Sequence, residues 1–260
     1  MERAFGYLPE ERVVLIVGNY GSGKTEVSVN LAIQLSQHHH VAIADLDIVN
    51  PYFRCREARG EMEKQGIEVI NPTGDYHAAD LPIILPEIRG RLRSGSGFLI
   101  FDVGGDDVGA RILSSLTDLF SGQPYVMLQV VNAKRPFTDS VEGCLKIKSE
   151  IEAAARLSVT GLVSNTHLME ETDSAVIAEG LELTDEVGRT ASLPVAFVTA
   201  DRALQDELRG RREQPIGEGE GDRLNGRPIL WLERRMLPPW KLRSMTDRAE
   251  RVLRRKPGSD

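Results

Sequence analysis

VVLIVGNYGSGKT, residues 13–25, decides how the rest of the chain is read. Five apolar residues, four of them β-branched, describe a strand buried on both faces, and a helical apolar pattern follows from Lys24 to Gln37. The eight residues joining them, Gly18, Asn19, Tyr20, Gly21, Ser22, Gly23, Lys24 and Thr25, carry the spacing of a phosphate-binding loop. Glycines let the backbone curl so that successive N–H groups converge on phosphate oxygens, and the helix adds the positive end of its dipole. Lys24 is placed for the β- and γ-phosphates, and Thr25 offers a hydroxyl to Mg²⁺. Glu26, the next residue, is counted with the binding set.

Outward from this loop, short apolar runs recur at 41–45 (VAIAD), 98–102 (FLIFD), 125–131 (YVMLQVV), 159–163 (VTGLV) and 195–198 (VAFV). Helix-like stretches separate them at 24–37, 138–157 and 172–189, with a shorter one at 85–92 that contains Gly90 and has Pro86 suited to a first helical turn. Alternation of this kind predicts an α/β fold, a mostly parallel sheet with helices on both faces and ligands at the carboxyl ends of the strands. The chain is read as one domain over 1–260. Its core covers about 10–205, a polar glycine-rich loop covers 211–227, and a last strand and basic helix fill 228–256.

A bound metal needs acidic partners from neighbouring strands. FLIFDVGG delivers Asp102 to a strand end, with Gly105 offering a backbone amide near a γ-phosphate, a Walker B and switch arrangement. DLDIVNPYFR, 45–54, brings Asp45 and Asp47 to the end of the strand after the P-loop helix. Spaced at i and i+2, they share a face if the strand continues or straddle its end if the chain turns. Asp45 then suits the outer shell of Mg²⁺ and Asp47 the orientation of the attacking water.

With these residues the sequence resembles the MinD/ParA and CobQ/CobB nucleotide-binding family, in the SIMIBI class of P-loop proteins, over most of 10–205. The resemblance implies that the second Asp of the Asp-x-Asp motif, Asp47, serves hydrolysis. It also implies that Asn165 in GLVSNTHL reads adenine, a task that suits an amide because it donates and accepts at once. One residue departs from the pattern. MinD and ParA proteins carry a signature lysine as the second P-loop residue, where this chain has Asn19, which puts their sandwich dimer in doubt. The implied catalytic set is Lys24, Asp47 and Asp102, and the implied metal set is Thr25, Asp45, Asp47 and Asp102.

A net charge of -7 and a pI of about 5.4 argue against a general nucleic-acid coat. Cys55 and Cys144 have no metal or disulfide spacing, and the consecutive His38, His39 and His40 point in different directions. A reducing cytoplasm is expected, with no integral membrane segment. The basic tail offers only Met245, Ala249, Val252 and Leu253 to a bilayer and is read as packed or solvated. Arg54, Arg56, Arg111, Lys134 and Arg135 lie near strand ends, where a cation could stabilise transition-state charge, Arg54 foremost.

The expected activity is hydrolysis of ATP with Mg²⁺ by a regulatory or assembly switch that acts on a protein partner, possible as a homodimer, with metallocluster or metalloenzyme maturation as one task. The alternatives are an ATP-dependent ligase or kinase resembling dethiobiotin synthetase or cobyrinate amidases, and a GTPase metallochaperone. Against the latter, guanine readers need Asn-Lys-x-Asp, where this chain has Asn165, Thr166, His167 and Leu168.

Overall fold

The apolar runs become strands and the helical patterns become helices in a computed structural model that describes residues 6–46, 58–70, 81–105, 113–114, 116–120, 122–210 and 222–235. The strands are β1 (Val13–Gly18), β2 (Val41–Leu46), β3 (Glu68–Ile70), β4 (Phe98–Val103), β5 (Val126–Val131), β6 (Gly161–Ser164), β7 (Val195–Asp201), β8 (Arg223–Leu224) and β9 (Arg227–Leu232). The helices are α1 (Lys24–Ser36), α2 (Arg59–Lys64), α3 (Leu81–Ser94), α4 (Thr117–Phe120), α5 (Val141–Ala155), α6 (Ser174–Ala191) and α7 (Gln205–Gly210). Among the described residues nine strands form one sheet in the order β3-β2-β4-β1-β5-β6-β7-β9-β8, parallel except for the β8–β9 hairpin.

Alternate residues of each central strand serve opposite layers, as a sheet buried on both faces requires. Val14 and Ile16 of β1 pack with Val27 and Leu31 of α1 and Met62 of α2. Val13, Leu15 and Val17 face the other layer, with Ile88 of α3, Ala155 of α5 and Leu181 of α6. The expected architecture is therefore present. Strand order reverses around β1, since β2 lies beyond β4 on one side while β5 to β7 extend the other. The crevice at the carboxyl end of β1 is the place where such sheets hold ligands.

Several boundaries differ from the sequence reading for local reasons. The helix expected from Thr138 begins at Val141, because Ser140 is its N-cap and accepts from the N–H of Gly143 at 3.2 Å. The helix expected from Thr172 begins at Ser174, with Asp173 accepting from the N–H of Val176 at 2.8 Å. Pro86 is not in a first turn. It lies inside α3, which starts at Leu81 and continues through Gly90 while burying Ile88 and Leu92. The stretch read as loop up to 227 closes as the β8–β9 hairpin around Asn225 and Gly226, both at positive φ. β3 is only three residues long and α2 six, too short for periodicity to reveal. The basic tail helix and residues 211–221 lie outside the described residues.

Candidate functional site

The loop between β1 and α1 has the expected form. Gly18, Gly21 and Gly23 all take positive φ, which only glycine adopts without strain. Gly23 shows the requirement most directly. At φ 86° it is the residue before α1, and a Cβ there would overlap the Asn165 amide. Gly105 is constrained by contact instead, since a Cβ would come within 2.5 Å of Lys24 Nζ and 2.8 Å of Tyr20 N. Gly105, two residues past the end of β4, is thus pressed onto the P-loop. Lys24 is buried and spans the loop, donating from Nζ to the Asn19 carbonyl at 3.0 Å.

Asp45 of β2 and Asp102 of β4 are direct partners in the parallel register, so their side chains share one face about 4.8 Å apart in backbone terms. Both are buried, and that face is the one α1 covers, for Ser28 Oγ donates to Asp102 Oδ1 at 3.1 Å. Adjacent buried carboxylates demand nearby positive charge. Their hard oxygens, with the Thr25 hydroxyl on the facing helix, form a donor set that fits Mg²⁺ rather than a soft metal. Asp47 lies outside the described residues, as do Arg54, Arg56, Arg111 and Cys55. Among the described residues no three His, Cys, Asp or Glu side chains gather as a metal cage. His39 packs edge-on against Phe98, with ring centroids 5.2 Å apart.

A cavity of about 450 Å³ opens beside the loop. Its phosphate end is formed by Tyr20, Gly21, Gly23, Lys24, Thr25 and Gly105, together with Arg135. Its far end comes from segments distant in sequence: Met169 after β6, Thr199 to Asp201 of β7, and Leu232 and Arg234 at the end of β9. Asn165 lies between them. Its Nδ2 donates to the Ser22 carbonyl at 2.6 Å, and its Oδ1 accepts from the Thr199 hydroxyl, so both ends of the amide brace the P-loop against β7.

Glu26 also lines the cavity, but its carboxylate accepts from the backbone N–H of Arg235 at 2.8 Å and from Asn30 Nδ2 at 3.1 Å. Asn30 in turn exchanges hydrogen bonds with the backbone of Glu233. This buckle fixes the end of β9 over α1 and brings Arg234 to the cavity. There Arg234 pairs with Asp201 and Glu170, each at 3.3 Å.

His167 stands between the two ends. Burial, with the positive charges of Arg135 and Arg234, pushes its imidazole down to about pKa 4, so it is neutral at pH 7. Cys144 faces Thr138 in the core, where burial and Asp139 push the thiol up to about 12 and leave it inert. Ser28, Thr199 and Arg234 were not singled out from sequence. A hydroxyl four residues after Lys24, on the α1 face that meets β4, was the available sign for Ser28.

No family model and no curated protein matches the chain. Solved structures do. FtsY of Thermotoga maritima superposes with a TM-score of 0.53 at 19% identity over 78% of this chain and 66% of that one. The signal recognition particle receptor FtsY of Elizabethkingia anophelis gives 0.51 at 16% identity, over 77% of this chain and 63% of that one. The chain thus spans just under two thirds of each. At these identities the likeness is one of fold alone, a mostly parallel α/β sheet flanked by helices. No helix among the described residues is long and apolar enough to cross a membrane.

Proposed function

We propose that the protein hydrolyses ATP with Mg²⁺ and uses the nucleotide state to change its affinity for a protein partner. The observation that carries this reading is the placing of Lys24 and Thr25 at one end of a cavity large enough for a nucleotide, with the paired carboxylates of Asp45 and Asp102 buried beneath the same helix, where Ser28 meets Asp102. When bound, the metal would neutralise charge on the β- and γ-phosphates. Thr25, Asp45 and Asp102 are the residues to hold it. Lys24 and the P-loop amides grip the phosphates, Ser28 keeps the Asp102 carboxylate oriented, and Asp47 orients the water.

The switch reading has its own support. Tyr20 is 68% exposed and Phe137 72%, and with Leu168 and Met169 they are the exposed large hydrophobics among the described residues. Tyr20 and Met169 line the cavity, and Phe137 and Leu168 directly follow Pro136 and His167, which line it too, so a surface fit for a partner is continuous with the nucleotide loops. Metallocluster or metalloenzyme maturation is one task that such a switch could serve.

A second reading, for GTP, is favoured by one feature. Leu168 cannot accept the N–H groups of guanine, yet Asp201 supplies a carboxylate at the far end of the cavity. That carboxylate already accepts from the N–H of Ala203 at 2.9 Å and pairs with Arg234, and the ATP reading is kept on this ground. Calorimetry with Mg-ATP and Mg-GTP separates the two. Asp47→Ala is expected to bind ATP with parental affinity and lose at least about 10²-fold in turnover. Parental turnover by that variant removes Asp47 from the mechanism.

A further inference from the structure

The cations Lys134 and Arg135 are adjacent in sequence and go to different places. Lys134 extends to an exposed ion pair with Glu179 at 2.7 Å. Arg135 lines the cavity, and its Nε, Cδ and Cζ lie 3.5 to 3.8 Å from where a Cβ on Gly21 would stand. We infer that Arg135 is a catalytic arginine supplied in cis, whose guanidinium contacts the γ-phosphate and stabilises the charge that develops there during transfer to water. The inference deepens the nucleotide reading above and rests on it.

Three observations support the assignment. Arg135 Nε is buried without a hydrogen-bond partner, and Arg135 makes no ion pair among the described residues, so a cation lines the cavity with no anion to pair it. Such a group is costly to hold unless an anionic ligand completes it.

The backbone that presents Arg135 is also rigid. Its N–H donates to the Asn132 carbonyl at 3.1 Å and its own carbonyl accepts from Thr138 N at 3.2 Å. The Thr138 hydroxyl closes the same turn onto the Asn132 carbonyl at 2.8 Å, and both Asn132 and Thr138 are buried. A pre-oriented cation needs no reorganisation when charge develops.

The third observation is a link to the P-loop itself. Asn19, at the position where MinD and ParA proteins carry their lysine, donates from Nδ2 to the Pro136 carbonyl at 3.1 Å and accepts from Tyr20 N at 2.8 Å. The residue that lacks the cation thereby pins the turn that provides one.

In the step itself, a water oxygen bonds to the γ-phosphorus while the bond from that phosphorus to the β–γ bridging oxygen breaks. The nucleoside diphosphate leaves with the electron pair, the proton given up by the water ends on the released phosphate, and Arg135 transfers none.

The test compares the parent with Arg135→Ala and Arg135→Lys. Single-turnover hydrolysis of Mg-ATP is read beside the affinities for Mg-ATP and for Mg-ADP with aluminium fluoride, which mimics the transition state. Arg135→Ala is expected to lose about 10² to 10³-fold in rate and a similar factor in aluminium fluoride affinity, with Mg-ATP affinity within about threefold of the parent. Arg135→Lys, a point charge without the fork, recovers part of the loss. An unchanged rate overturns the assignment, as does a loss in Mg-ATP affinity that accounts for the whole loss in rate. If Arg135→Ala unfolds, Arg135→Gln is read in its place. A parent protein that binds Mg-ATP while the variants match it in every readout sinks Arg135 alone, whereas a parent that binds no magnesium nucleotide sinks both readings.

Discussion

The two ends of the cavity are built in opposite ways. The phosphate end is mainly backbone: three glycines at positive φ, the amides of one short loop and the start of α1, all within residues 18–25. The far end is mainly side chain, gathered from β6, β7 and β9 across about 70 residues, and held by the buckle between Asn30 and Glu233 and by the pairs Arg234 makes with Asp201 and Glu170. Backbone recognition is indifferent to what lies beyond the phosphates, while side-chain recognition carries the choice of base. The first end should therefore set whether a nucleotide binds and the second which one.

Lys24→Ala tests the first half of that division and should have the largest effect. On the proposed reading its buried charge is the one that meets the phosphates, so the loss in affinity should be on the order of 10³-fold, about 4 kcal/mol, for Mg-ATP and Mg-GTP alike. Fluorescence titration with both nucleotides decides it. A loss confined to one of them would mean that the ends are not separable.

This division also marks how far the sequence could be read. A strand, a glycine turn and a helix are contiguous, so residues 13–37 disclosed the P-loop, and the period of the apolar runs disclosed a parallel sheet flanked by helices. Asp102 and Asp45 were legible because four apolar residues before each deliver it to a strand end. Their direct pairing across β2 and β4 was not, since register depends on which strands become neighbours.

Asn165 shows the limit most clearly. The sequence put it just past the end of a strand, which is where β6 leaves it, but its amide engages the Ser22 carbonyl 143 residues away and the Thr199 hydroxyl 34 residues on. Bonds of that span leave no periodic trace. The buckle at Glu26, Asn30 and Glu233 was hidden for the same reason, and with it the arrival of Arg234 at the cavity.

His167, between the ends, gives an intermediate effect and a sharper probe. Its folded-state pKa of about 4 lies below the ordinary 6.5, so between those values the unfolded chain takes up a proton that the folded chain does not. Stability contributed by neutral His167 is present above pH 6.5 and is lost as pH falls toward 4. Between pH 7 and 5 the loss is on the order of 2 kcal/mol. Urea unfolding of the parent and of His167→Gln at the two pH values measures it as the difference between their pH slopes. Equal slopes would mean that His167 is not held neutral. Because Arg135 and Arg234 depress it from opposite ends, removing either cation should raise the imidazole pKa in a proton-resonance titration.

Asp201→Asn should do least, and for that reason it best separates the two nucleotide readings. If Asp201 only organises the chain, Asn retains an acceptor for the Ala203 N–H and loses an ion pair with Arg234 in which each side chain is 33% exposed. Pairs that wet contribute under about 1 kcal/mol, so Mg-ATP affinity should move by less than about fivefold, with the ratio of ATP to GTP unchanged. If the carboxylate instead reads guanine, the substitution leaves two guanine donors facing a single acceptor and an amide N–H. GTP affinity should then fall by tenfold or more while ATP affinity holds. That second outcome would overturn the adenine assignment, and it would also show that selectivity lies with β7 and β9 rather than with the Asn165 loop where the sequence had placed it.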